Sequence, residues 1–101
     1  MDAIKEIYDY SKKESMLVFP NSRGEVESIA VGLKKLAKND LSNVRYFAHH
    51  SSISKDMRMM AEDFAKNSMR RLFTIICTST LELGIDIGSV DSVVQYNAPH
   101  S

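Results

Sequence analysis

Apolar positions along this 101-residue chain switch repeatedly between a helical period and short unbroken runs. Ile4, Ile7 and Tyr8 recur at helical spacing, which predicts a short amphipathic helix over residues 2–13. Met16, Leu17, Val18 and Phe19 then form a continuous apolar run stopped by Pro20, the pattern of a strand buried on both faces. Ser22 and Glu25 have capping-box spacing, and Val26, Ile29, Ala30, Leu33, Leu36 and Ala37 behind them share one helical face. That helix is expected to end at Asn39-Asp40. A second strand is expected over residues 44–48. A helix capped by Ser54 should follow, with Met57, Met60, Ala61 and Phe64 turned inwards. The β-branched run over residues 72–77 and the stretch 91–96 predict two further strands. Strands alternating with helices of these lengths imply parallel βαβ units. The expected fold is a single α/β domain over residues 1–101, a three-layer parallel sheet with helices on both faces.

Composition narrows the class. No apolar stretch approaches the roughly 20 residues needed to span a bilayer, so no membrane partner is expected. Met1-Asp2 opens no signal peptide, and the single Cys77 suits a reducing compartment, so a cytoplasmic location is expected. Thirteen basic and thirteen acidic residues cancel, which removes any global basic field for nucleic acid. Any such contact must come from a few placed groups.

Ligands of an open parallel sheet bind beyond the carboxyl ends of its strands. Those ends hold Asn21-Ser22-Arg23, His49-His50-Ser51-Ser52, Thr78-Ser79-Thr80 with Gly84-Ile85-Asp86, and Asn97-Ala98-Pro99-His100. Hydroxyls and free backbone N–H groups there suit a phosphate or a sugar. Neither a lysine-bearing phosphate loop nor a dinucleotide glycine fingerprint is present. Cys77 has no arginine in the six residues after it, as a thiol phosphatase would want, and its apolar strand marks it as an inert buried thiol. His49 and His50 point opposite ways on a strand and lack companion ligands, so no metal site is expected.

The same strand ends carry a resemblance. Leu17-Val18-Phe19-Pro20-Asn21-Ser22-Arg23, followed by Glu27, resembles motif IV of superfamily 2 helicases. His49-His50-Ser51-Ser52-Ile53-Ser54-Lys55-Asp56, with Arg58 and Glu62, resembles the next segment of their second RecA-like domain. Residues 77–87, from Cys77-Thr78-Ser79-Thr80 through Gly84-Ile85-Asp86-Ile87, are similar to motif V in the form typical of the long helicase-related (Lhr-type) branch. The resemblance implies that Asp86 accepts a hydrogen bond from the ATP ribose and that Gly84 lets the backbone approach the triphosphate. It implies contacts to a single strand from Ser22, Arg23, Thr78, Ser79 and Thr80, and from the helix start at Ser54. Competing roles remain open: Ser22 and Ser54 as caps alone, Arg23 as a solvated side chain, Asp86 as a turn residue. The roles of His50 and Glu82 are left open.

The resemblance further implies that ATP and Mg2+ serve the intact protein, with a first RecA-like domain and single-stranded nucleic acid, DNA rather than RNA, as partners. The phosphate loop, the acidic metal-binding box and the arginine-rich motif VI are missing from these residues, so the domain is expected to be truncated at its C-terminus. The chain alone is therefore expected to be inactive as an ATPase. A reading of another class, a nucleic-acid or protein docking module without ATP turnover, competes with the motor reading.

Overall fold

The computed structural model describes residues 3–49, 55–56, 59–60, 62–63, 72–78 and 90–96. Helix α1 (Ala3–Ser11) buries Ile7, Tyr8 and Ser11. It stops short of residue 13 because the Lys13 and Glu14 amides both turn back to the Tyr10 carbonyl, at 3.0 and 3.3 Å. Strand β1 (Met16–Phe19) follows. Helix α2 (Arg23–Asn39) starts at Ser22, whose extended backbone leaves its hydroxyl to accept from the Glu25 amide. The Glu25 carboxylate meets that same hydroxyl, at 3.4 Å, so the two side chains of the capping box face each other. Val26, Ile29, Ala30, Leu33 and Ala37 are buried along α2, the face that the helical period picks out.

Strand β2 (Arg45–His49) begins one residue later than the apolar run suggests, because the Val44 amide turns to the Ser42 hydroxyl. Strands β3 (Phe73–Cys77) and β4 (Ser92–Gln95) complete a parallel sheet in the order β2-β3-β1-β4. The register runs through Met16, which lies opposite Thr74 on one side and Ser92 on the other. Leu17, Val18, Ile75 and Ile76 have no exposure, as continuous apolar runs in central strands require. Truncating any one of these isoleucines to alanine should cost about 2–5 kcal/mol.

Strand alternation divides the core. Met16, Val18, Tyr46 and Ile76 face α1 and α2, together with Ile7, Tyr8, Val26, Ile29 and Leu33. Leu17, Phe73, Ile75 and Cys77 cluster on the opposite face with Phe19, Phe47 and Val90. On that second face the helical residues 55, 56, 59, 60, 62 and 63 bring Glu62 to the buried His49. The sheet thus has helix on both sides, as expected. Gly32 lets α1 close on α2, since a Cβ there would lie 3.2 Å from Ile4 Cγ2.

One expectation fails. Met60 is 59% exposed rather than turned inwards. Glu62 takes the sheet-facing direction through its bond to His49, and a residue two positions earlier lies roughly 200° away around a helix. Met57, Ala61 and Phe64 lie outside the described residues.

Polar side chains stitch the amino ends of the strands. Ser15 donates its amide to Asp91 Oδ2 at 2.8 Å, and its hydroxyl accepts from the Phe73 amide at 3.3 Å. Ser92 donates to Glu14 Oε1 at 2.9 Å. Three neighbouring strands, β1, β3 and β4, are thereby locked in register at one end, leaving their carboxyl ends available. No helix among the described residues is long and apolar enough to cross a membrane.

Candidate functional site

The strand order fixes where a ligand site belongs. From β1 the chain passes β3 to reach β2, and from β3 it passes β1 to reach β4. The connections leaving these two adjacent carboxyl ends therefore run in opposite directions, which defines a topological switch point. Beyond β1 lie Pro20, which is buried, and Asn21, Ser22 and Arg23, all exposed. Beyond β3 lies Thr78, also exposed. The apolar strands carry these polar groups to the rim because the side chains just before them, Leu17, Val18, Ile75, Ile76 and Cys77, are anchored in the core.

The exit of the chain from β1 is held by β4. The Tyr96 amide donates to the Phe19 carbonyl at 2.9 Å, and Gln95 Nε2 donates to the same oxygen at 3.0 Å. Two donors on one carbonyl fix the turn that presents Ser22 and Arg23. Sequence reasoning missed Gln95, whose only signal was a polar residue closing an apolar strand.

Ser22 serves as the N-cap of the 17-residue α2, so the first amides of that helix and its positive dipole end open at the same rim. An exposed guanidinium, an exposed hydroxyl and a helix start together can hold an anionic oxygen. They offer no nucleophile or general base. The other cap candidate, Ser54, lies outside the described residues, as do Ser79, Thr80, Gly84 and Asp86.

Cys77, just before Thr78, is fully buried, and burial pushes its thiol up to about 12. It stays protonated at neutral pH and is the inert thiol expected. His49 is 1% exposed and its Nε2 lies 3.1 Å from Glu62 Oε2, which gives it a structural partner. Among the described residues no group of three His, Cys, Asp or Glu side chains could hold a metal ion.

Comparison with known proteins assigns a family. The helicase conserved C-terminal domain family matches residues 1–101. The ATP-dependent helicase Lhr-Core of Saccharolobus solfataricus is 36% identical over 97 residues, covering 92% of this chain and 11% of that protein. The Lhr-Core of Methanothermobacter thermautotrophicus is 38% identical over 85 residues, covering 84% and 10%. The Lhr helicase/uracil glycosylase of Escherichia coli is 31% identical over 117 residues, covering 89% and 8%. The chain thus spans about a tenth of the length of these relatives. No solved structure matches it.

Proposed function

Because the chain belongs to the helicase conserved C-terminal domain family and is similar along most of its length to Lhr-type helicases, we propose that it forms one wall of an interdomain ATP cleft and part of a single-strand track. The observation that favours the track is that Ser22, Arg23 and Thr78 follow the adjacent carboxyl ends of β1 and β3, beside the switch point of the sheet. Arg23 and Thr78 bind strand phosphates, and α2 contributes its N-terminal amides. Ser79, Thr80 and the helix start at Ser54 extend that track. Gly84 and Asp86 receive the nucleotide, the aspartate through the ribose and the glycine by leaving room for the triphosphate. Both assignments rest on the resemblance of residues 77–87 to motif V.

ATP supplies the driving phosphoryl transfer when bound, and Mg2+ is seated by the first RecA-like domain. The residues of this chain bind and orient; they add no cation at the γ-phosphate, since the phosphate loop and the arginine-rich motif are both missing from the sequence. An arginine finger is worth roughly 10³–10⁵ in rate in related NTPases, so the 101-residue chain alone should turn over no measurable ATP. The strand is DNA in this reading, and stronger binding of oligouridylate than of oligothymidylate would reverse that choice.

The two roles separate in a full-length helicase carrying this domain. Asp86→Ala should raise the KM for ATP about tenfold with little change in strand affinity, the size of one hydrogen bond to a charged group. Thr78→Ala should weaken strand binding by a similar factor while leaving basal ATP affinity intact. If both substitutions left both affinities unchanged, the site assignment would be wrong.

A further inference from the structure

A second surface lies away from the switch point, at the amino end of β2. This strand closes one edge of the sheet, and among the described residues no strand pairs with its outer side. A groove of about 710 Å³ runs along that edge. It is lined on one side by Lys34 and Lys38 of α2 and on the other by Phe47 and Met60, with Arg45 and Leu41 at its end. None of its described lining residues is acidic, although the chain as a whole is neutral.

Leu41 gives an independent sign that this surface is used. The α2 C-terminus closes with the Leu41 amide on the Lys38 carbonyl and the Ser42 amide on the Ala37 carbonyl, the paired bonds of a Schellman motif. Leu41 therefore sits at a φ of 55°, a left-handed position that glycine or asparagine fills at lower cost. Its side chain is also 87% exposed. Neither backbone geometry nor solvation in the free chain favours leucine here, whereas an apolar partner against the groove would. Met60, with 59% exposure, extends the same apolar surface.

We propose that the outer edge of β2 docks an extended segment of a partner protein in which acidic and aliphatic residues alternate, adding a strand to the sheet. Main-chain bonds to the side of β2 that no described strand pairs supply affinity, and the two-residue period of a strand supplies selectivity. One set of side chains meets Lys34 and Lys38 above the sheet, and the other meets Phe47 and Met60 below it. A nucleic-acid strand matches the charge but offers neither aliphatic side chains nor edge-pairing amides. A second copy pairing through the same edge would bring Lys34 and Lys38 of both chains together, which like-charge repulsion opposes. Docking here leaves the carboxyl ends of β1 and β3 open.

The test is fluorescence anisotropy of the 101-residue chain with a labelled synthetic peptide of alternating valine and glutamate. Saturable binding is expected, and a serine–glutamate peptide or a backbone N-methylated version should bind at least about tenfold more weakly, since each loses one source of affinity. Lys34→Glu combined with Lys38→Glu changes two exposed side chains. It should weaken the acidic peptide about tenfold and create binding of a valine–lysine peptide. Leu41→Asp should weaken the acidic peptide as well. Circular dichroism melts confirm that each variant is folded, and the peptide controls are read on the unaltered chain. Four results would each overturn the proposal: no binding, equal binding of the serine–glutamate peptide, indifference to the double charge reversal, or displacement by oligothymidylate. A dimer of the free chain dispersed by Leu41→Asp would assign the edge to a second copy and overturn it too.

Discussion

Tyr8 shows how much of this fold depends on one polar atom at the end of an apolar side chain. Its ring is fully buried between the helices and the sheet, while its hydroxyl donates to Asp40 Oδ2 at 2.6 Å and so ties α1 to the C-cap of α2. The Asp40 carboxylate, and then burial, push the phenol up to about 12. The folded chain therefore holds this proton more tightly than the unfolded chain, whose tyrosines titrate at about 10. The contribution is complete below pH 10 and is lost as pH rises through about 12. Cys77 adds a loss of the same sign, and the raised Tyr46 hydroxyl does likewise. Thermal melts across pH 9–12 should therefore show Tm falling, and Tyr8→Phe should flatten that fall without abolishing it. An unchanged slope in Tyr8→Phe would remove Tyr8 from the account.

Ser22 carries two roles that one pair of substitutions separates. Its hydroxyl caps α2 by accepting from the Glu25 amide, and it also stands at the rim of the switch point. Ser22→Ala should cost about 1 kcal/mol of stability, whereas Ser22→Gly should cost only a few tenths. Both remove the hydroxyl from the rim. Equal losses of strand affinity in the two variants, against unequal urea midpoints, would support a phosphate contact; affinity tracking stability would leave Ser22 a cap alone.

At the scale of elements, a polar pair joins β2 to the helical residues after it. His49 is buried and meets Glu62 at 3.1 Å across that junction, and nothing in the apolar pattern marks either residue as a clamp. Glu62→Ala leaves a buried ring nitrogen without this partner and should cost about 1–3 kcal/mol. A double-mutant cycle with His49→Leu, read by urea unfolding, should return a coupling of at least about 0.5 kcal/mol. A coupling near zero would mean that other contacts hold the helix. The pattern of legibility follows the same division. Strands β1 and β3 were visible as unbroken apolar runs because both their faces are buried, and α2 was visible because its stripe and its Ser22 cap agree. The inward placing of Met60 failed: it is exposed, while Glu62, roughly 200° away around a helix, bonds the buried His49, a pairing 13 residues apart that no apolar period encodes. Of the candidate site, Ser22, Arg23 and Thr78 were legible as polar residues just past apolar strands, and they lie at the switch point. Gln95 was not, because its role is to bond a backbone carbonyl on another strand, which no periodicity encodes.

Across the whole molecule, charge limits what the proposed track can do. The 13 basic and 13 acidic residues leave no net field to gather a polyanion, and Arg23 is the single cation among the residues assigned to the track. Counterion release scales with the number of phosphates neutralised, with a slope of about −0.7 per phosphate for single strands. With one or two phosphates engaged, affinity should fall only about three- to sevenfold between 50 and 200 mM salt. In the proposed reading, a strand held by a few hydroxyls, helix amides and one guanidinium is gripped weakly enough to be released in each cycle of a motor. Titrating oligothymidylate against the 101-residue chain at several salt concentrations gives the slope directly. A slope corresponding to six or more phosphates would mean that a basic surface outside the switch point binds the strand, Lys34, Lys38 and Arg45 being the first to test by charge reversal.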